Sequence, residues 1–144
     1  LTFLLPVQME KVDPSLMRGM TLSAVGLITK VNEVLGNSDL KDGLAAFKAI
    51  NAGDETVYPL FESYCRTLAI TILNLQTAFD MESFVLGGGM SAQPILIEEV
   101  NRQFDKVHHE IDFIGKIIKR PEIIACRHYN GANLIGAAYF LKRR

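Results

Sequence analysis

Apolar residues recur along this chain at two different periods, and the change between them divides it. Val25, Ile28, Val31 and Leu35 recur at helical steps between about Met20 and Leu35, and Gly36 stands where a helix would stop on a left-handed residue. A second helix is expected after Asn37-Ser38, with Ser38 as N-cap and Leu40, Leu44, Phe47 and Ile50 on one face. The longest periodic run follows Ala52-Gly53-Asp54. There Val57, Phe61, Tyr64, Leu68, Ile72, Leu75 and Phe79 form one stripe, predicting a helix from about Asp54 to Phe79 with those residues in the core. Pro59 belongs to its first turn or kinks it, because deeper inside it would remove a backbone hydrogen bond. Ile70 and Leu73, just off the stripe, predict cover on a second side.

Asp80-Met81-Glu82 ends that helix, and the pattern changes. Phe84–Leu86 reads as a short buried strand running into Gly87-Gly88-Gly89. Ile97, Val100, Phe104 and Val107 predict another helix, with Glu98, Glu99, Arg102 and Lys106 facing water. Glu122–His128 (EIIACRH) reads as a second strand. A last helix from about Gly131 to Leu141 is apolar nearly all round, so it is expected to be buried on more than one side. Leu1–Leu5 reads as the end of a strand stopped by Pro6. Helices first, then strand–helix–strand–helix, is an α/β order with two parallel strands joined by a crossover.

A length of 144 residues with 49% hydrophobic residues suits one soluble domain with a real core. A net charge of −1, with no basic run beyond Lys142-Arg143-Arg144, argues against nucleic acid as a main partner. No apolar run approaches the roughly 20 residues of a membrane span. The start, LTFLLPVQMEKVDP, has neither the positive segment nor the cleavage site of a signal peptide. It lacks Met and begins in strand-like sequence, which leads us to expect a piece of a longer protein. Cys65 and Cys126 lie far apart, as two small core residues in a reducing compartment would. His108 and His109 would face opposite ways on a strand and about 100° apart on a helix, and with His128 and the cysteines they complete no metal-ligand pattern.

The glycines raise the chemical question. Each costs backbone entropy on folding, and glycine is favoured where φ is positive or where something approaches the backbone closely. A phosphate-bearing ligand would use such a turn; a tight strand-to-helix connection with nothing bound would use it equally. Gly87-Gly88-Gly89-Met90-Ser91-Ala92 satisfies the loose G-x-G-x-x-[GA] pattern, but the further strands and helices of a dinucleotide unit do not follow. No G-x-x-x-x-G-K-[ST] loop, G-x-S-x-G elbow or Ser/His/Asp set is present.

Three landmarks in order carry a family resemblance. The run AFDMESFVLGGGMSAQPILIEEV resembles the acidic residue, apolar strand and triple-glycine segment of the ROK family of sugar kinases and sugar-responsive repressors. HYNGANLIGAAYFL resembles that family's closing helix, and Ala52-Gly53-Asp54 its glycine–aspartate pair. The likeness runs from about Ser15 to the end. It implies the C-terminal part of an actin–hexokinase (ribonuclease H-like) lobe, helix-rich with a short, mostly parallel sheet. Residues 1–14 would end an upstream strand and connection, 15–79 form the helical part, and 80–144 form the nucleotide side. By that resemblance Gly87, Gly88 and Gly89 would lie against the adenosine and nearest phosphate of ATP, bound with Mg, and Ser91 would stand close by. Gly136, Ala137 and Ala138 would let the closing helix pack closely.

The departures matter equally. The family's phosphate loop, the aspartate that deprotonates the sugar hydroxyl and the sugar-contacting segments have no counterpart here, and would lie upstream of Leu1. Where a Cys/His zinc signature stands in many members, this chain has VDPSLMRGMTLSAV, so no zinc is expected. The resemblance therefore implies the adenosine-side lobe of a cytoplasmic, ATP-dependent sugar kinase, inactive alone. The alternatives are a fragment of a sugar-responsive repressor, which alone would bring a nucleic-acid partner, or a non-catalytic interaction domain of the same fold. Apolar Leu134, Ile135, Tyr139, Phe140 and Leu141 lead us to expect a homo-oligomer with Asn130–Arg144 near the contact. The fold is expected to survive strong chelators; helical signal lost on adding EDTA and restored by zinc would overturn that expectation.

Overall fold

The structure, a computed structural model, describes residues 22–126, which divide between Thr67 and Leu68 into two units. The predicted strand at Leu1–Leu5, the closing helix from Gly131 and the contact expected at Asn130–Arg144 lie outside the described residues.

The first unit begins with α1 (Ala24–Leu35). Ser23 caps it by accepting a hydrogen bond from the Gly26 N–H at 3.1 Å, and Gly36 closes it at φ 70° with its own N–H on the carbonyls of Asn32 and Glu33. Helix α2 (Gly43–Asn51) follows, capped by Asp42 rather than by Ser38. Asp42 lies three residues before the Ala45 N–H that its carboxylate accepts, the reach an N-cap needs. Leu44 and Val25 are exposed, contrary to expectation, because each lies about half a turn from the buried residue two places on (Ala46 and Leu27). Leu40 precedes α2 and is exposed as well.

Gly53-Asp54 starts the long helix α3 (Tyr58–Phe79). One Asp54 carboxylate oxygen accepts from the Thr56 hydroxyl at 2.6 Å and the Thr56 N–H at 2.8 Å; these bonds, the hydroxyl's first, hold the carboxyl below its usual range. The Asp54 carbonyl accepts from the N–H groups of Val57 and Tyr58. Pro59 thus falls in the first turn, where its missing N–H costs nothing. Phe61 meets the rings of Phe47 and Tyr58 edge-on at 6.2 and 5.8 Å. The buried Tyr64 hydroxyl donates to the Leu22 carbonyl at 3.1 Å, and burial pushes its pKa up.

The α3 stripe is core at Val57, Phe61, Tyr64, Leu68 and Ile72, and a second buried line of Cys65, Ala69 and Leu73 runs beside it. Leu75 is half-buried and Phe79 is 62% exposed. The buried position near the end of the helix is taken instead by a polar residue, Gln76. Its amide donates to the carbonyls of Met81 (2.9 Å) and Lys119 (3.0 Å) and accepts from the Met81 N–H at 2.8 Å. Beyond it Asp80 adopts φ 48°, and the chain turns into the second unit's sheet.

Among the described residues that sheet is two parallel strands, β1 (Ser83–Leu86) and β2 (Glu122–Ala125), in register from Ser83↔Glu122 to Leu86↔Ala125. Helix α4 (Pro94–Glu110) and the short α5 (Asp112–Ile117) form the crossover; α5 was not legible in the sequence. The buried face of α4 is Leu96, Val100, Gln103, Phe104, Val107 and His108, with Ile97 only half-buried. Glu99 is buried too, not in water as expected. Arg102 and Gln103 satisfy its carboxylate at 2.6 and 2.8 Å, and a buried charge requires such partners. The His108 Nε2 donates to the Ile118 carbonyl at 2.6 Å, pinning the end of α5. Its Nδ1 has no partner among the described residues. The His109 ring meets His108 edge-on at 5.4 Å, and its Nδ1 donates to the Asp105 carbonyl.

Arg120 ties β2 to α4. It bonds Asp105 at 2.6 Å and Asn101 at 2.9 Å and lies over the Phe104 ring, while Asn101 donates to the carbonyls of Ile97 and Ile123. Leu68→Ala should cost about 2–5 kcal/mol in urea unfolding, as large-to-small changes at buried sites do. Gln76→Leu, which strands buried backbone groups, should cost about 1–3 kcal/mol. A neutral Gln76→Leu would show that these groups find other partners.

Candidate functional site: the glycine turn after β1

The β1 ladder ends where the Cys126 N–H donates to the Leu86 carbonyl at 2.8 Å. The next three residues are the glycines, and their exposure rises along the turn: Gly87 is buried, Gly88 half-buried and Gly89 exposed. Gly88 has φ 97° and ψ 173°, a region almost confined to glycine. Gly89 has no positive φ, and a Cβ built on it would meet nothing within 4 Å. So the three glycines differ in what they do. Gly88 is required by the backbone, whereas the bareness of Gly89 leaves open space beside the chain.

A single 3₁₀ turn, Gly89–Ala92, follows, and then Gln93 and Pro94 start α4 with proline at its first position. Ser91 is 2% exposed and is turned back onto the glycines. Its Oγ donates to the Gly88 carbonyl at 2.7 Å, and its N–H donates to the same oxygen at 3.1 Å. Met90, buried at 3%, anchors the turn and accepts from the Gln93 N–H. Sequence reasoning passed over Met90, although a lone large apolar residue among Gly, Ser, Ala and Gln marks an anchor. The structure therefore brings Gly87, Gly88, Gly89 and Ser91 into one short turn at the C-terminal end of a parallel strand. Ligands of open α/β sheets bind at such strand ends. Among the described residues no three His, Cys, Asp or Glu side chains gather to hold a metal ion, and no helix is long and apolar enough to cross a membrane.

In the first unit, α1 and the early turns of α3 leave a groove of about 250 Å³, with Ser23, Lys30, Leu60, Tyr64 and Thr67 in its walls. Several of its hydroxyls are engaged locally: Ser23 caps α1, Tyr64 bonds Leu22 and Thr67 bonds the Ser63 carbonyl. This chemistry singles out no ligand.

The family model described as "ROK family" matches residues 21–144, which include the glycine turn. The chain belongs to the ROK family. It is 31% identical over 99 residues to an N-acetyl-D-glucosamine kinase of Vibrio vulnificus (strain YJ016), covering 69% of this chain and 31% of that protein. An N-acetyl-D-glucosamine kinase of Vibrio parahaemolyticus is 29% identical over the same shares. Among solved structures, a ROK family protein from Streptococcus pneumoniae TIGR4, in complex with sucrose, is similar at a TM-score of 0.63 and 28% identity. That match covers 76% of this chain and 36% of that one. The chain thus spans about a third of the length of the relatives it matches. The expected fold is the observed one: helix-rich, with a short parallel sheet, in the actin–hexokinase class of its ROK neighbour.

Gly88 and Gly89 should respond oppositely to a side chain. Gly88→Val forces a β-branched residue to φ 97° and should destabilise by about 1–3 kcal/mol. Gly89→Ala should leave the melting temperature nearly unchanged. Equal melting of the two variants would show that the turn relaxes. Gly89, not Gly88, is therefore the position at which to probe ligand binding without disturbing the fold.

Proposed function

We propose that this chain supplies the adenosine-binding side of an ATP-dependent sugar kinase, in which the γ-phosphoryl of ATP passes to a sugar hydroxyl. The observation that carries the reading is the ROK glycine turn at the end of β1, with Gly88 at φ 97° and open space beside an exposed Gly89. Bare backbone at a strand end lets a nucleotide approach more closely than any side chain would allow. The kinase names of the Vibrio relatives support the activity, and make N-acetyl-D-glucosamine the first sugar to test.

The groups that fit ATP here are backbone groups, together with Ser91 behind them. Magnesium would enter with the phosphates, since the described carboxylates form no cluster of their own for it. Phosphoryl transfer depends mostly on positioning and on charge stabilisation around the phosphates. A chain bringing only the adenosine side should bind ATP without turning it over, the sugar and its proton acceptor being held by other residues of the kinase.

Calorimetry with ATP and magnesium tests this reading. The chain should bind ATP, and Gly89→Val should weaken binding about tenfold or more while melting within a few degrees of the parent. ATP affinity equal in parent and variant would move the nucleotide away from this turn. Absence of binding by the parent would leave an interaction domain as the function of the fold.

A further inference from the structure

We propose that Ser91 is a positioning residue for the nucleotide, and not a ligand to it: it holds the Gly88 carbonyl and thereby sets the shape of the Gly87–Gly89 turn. The inference rests on the kinase reading above and deepens it. Its ground is the convergence of two donors from one residue on one oxygen, the Ser91 hydroxyl at 2.7 Å and the Ser91 N–H at 3.1 Å, both on the Gly88 carbonyl.

Three physical consequences follow from that geometry. First, glycine has no strong preference of its own between the regions of positive and negative φ, so Gly88 stays at φ 97° and ψ 173° only if neighbours hold it there. Second, a peptide unit is planar, so fixing the carbonyl of Gly88 also fixes the N–H of Gly89, which in a trans peptide points the opposite way. Third, a serine hydroxyl has a single proton. Directed at Gly88, it leaves Oγ only lone pairs, which have the wrong polarity to bind a phosphate oxygen. Ser91 is 2% exposed, so water competes little for either bond. A direct phosphate contact would require both burial and the bond to Gly88 to be given up.

The two roles make different demands on the ligand. If Ser91 holds the turn, losing its hydroxyl loosens the surface that receives the whole adenosine end. ATP, ADP and adenosine should then all weaken by a similar factor. If Ser91 touched a phosphate, adenosine would be spared.

The test is calorimetry on the full chain with ATP and magnesium, ADP and adenosine, alongside the ¹⁵N–¹H resonance of the Gly89 amide. In Ser91→Ala all three ligands should weaken by a common factor of about 3–10, the worth of one hydrogen bond, and the Gly89 resonance should shift without ligand. Ser91→Thr, which retains the hydroxyl, should restore both the affinities and the resonance. Unchanged affinities in Ser91→Ala, or a loss confined to ATP and ADP, would overturn the positioning role. So would an unmoved Gly89 resonance in Ser91→Ala, and this last readout needs no ligand. A parent chain that binds none of the three would instead overturn the kinase reading, so the two failures are distinguishable.

Discussion

The parallel pairing of β1 with β2 is the constraint on which the candidate site depends. Two antiparallel strands can be joined by a tight turn, whereas parallel ones need a long crossover, here made by α4 and α5. The chain must therefore leave β1 at its C-terminal end and begin a helix almost at once. The glycines stand at that departure. The last ladder bond, from Cys126 to Leu86, makes Gly87 the first residue past the pairing. Among the described residues, the second strand is also fastened from the side. Arg120 grips Asp105 and Asn101 on α4, and Asn101 reaches the Ile123 carbonyl inside β2.

Buried amides fasten the loops in both units. In the first, Asn32 donates to the carbonyls of Leu40 and Asp42 and accepts from the Asn37 amide, which folds the α1–α2 connection. In the second, Gln76 does the same for the approach to β1 and the approach to β2, through Met81 and Lys119. Loops carry backbone groups that no helix or sheet satisfies, and a buried primary amide offers donors and an acceptor at one point. Both segments enter their strands at the N-terminal end of the parallel pair, opposite the glycine turn, so Gln76 fastens the two places where the strands begin.

The chain belongs to the ROK family, and the Vibrio N-acetyl-D-glucosamine kinases among its relatives support the proposed kinase role for the glycine turn. The turn's chemistry suits half of such a reaction. It offers shape and bare backbone, and no charged side chain stands between Gly87 and Gln93. That division suits phosphoryl transfer, where one surface holds the nucleotide and another presents the acceptor hydroxyl.

Much was legible in the sequence, for definite reasons. The stripe through Val57, Phe61, Tyr64, Leu68 and Ile72 repeats at the helical period, and burial on one face enforces that period. Gly36 marked the end of α1, and the apolar runs before the glycines and after Pro121 marked two strands whose order required parallel pairing. Gly87, Gly88, Gly89 and Ser91 stood together in the chain and stand together in the turn. What periodicity could not show was which polar residues go inside. Gln76, Asn32 and Glu99 are buried because particular partners, several of them distant in the chain, satisfy them, and hydropathy takes no account of partners. Nor could it show that Asp42 and not Ser38 caps α2, or that Leu44 and Phe79 stay exposed, since both depend on where the neighbouring elements stop. Local residue chemistry determined the helices, the strands and the place of the turn. Only tertiary structure decided that Gly88 carries the backbone geometry, that Gly89 carries the open space and that Ser91 faces inward, because each depends on atoms brought together by folding.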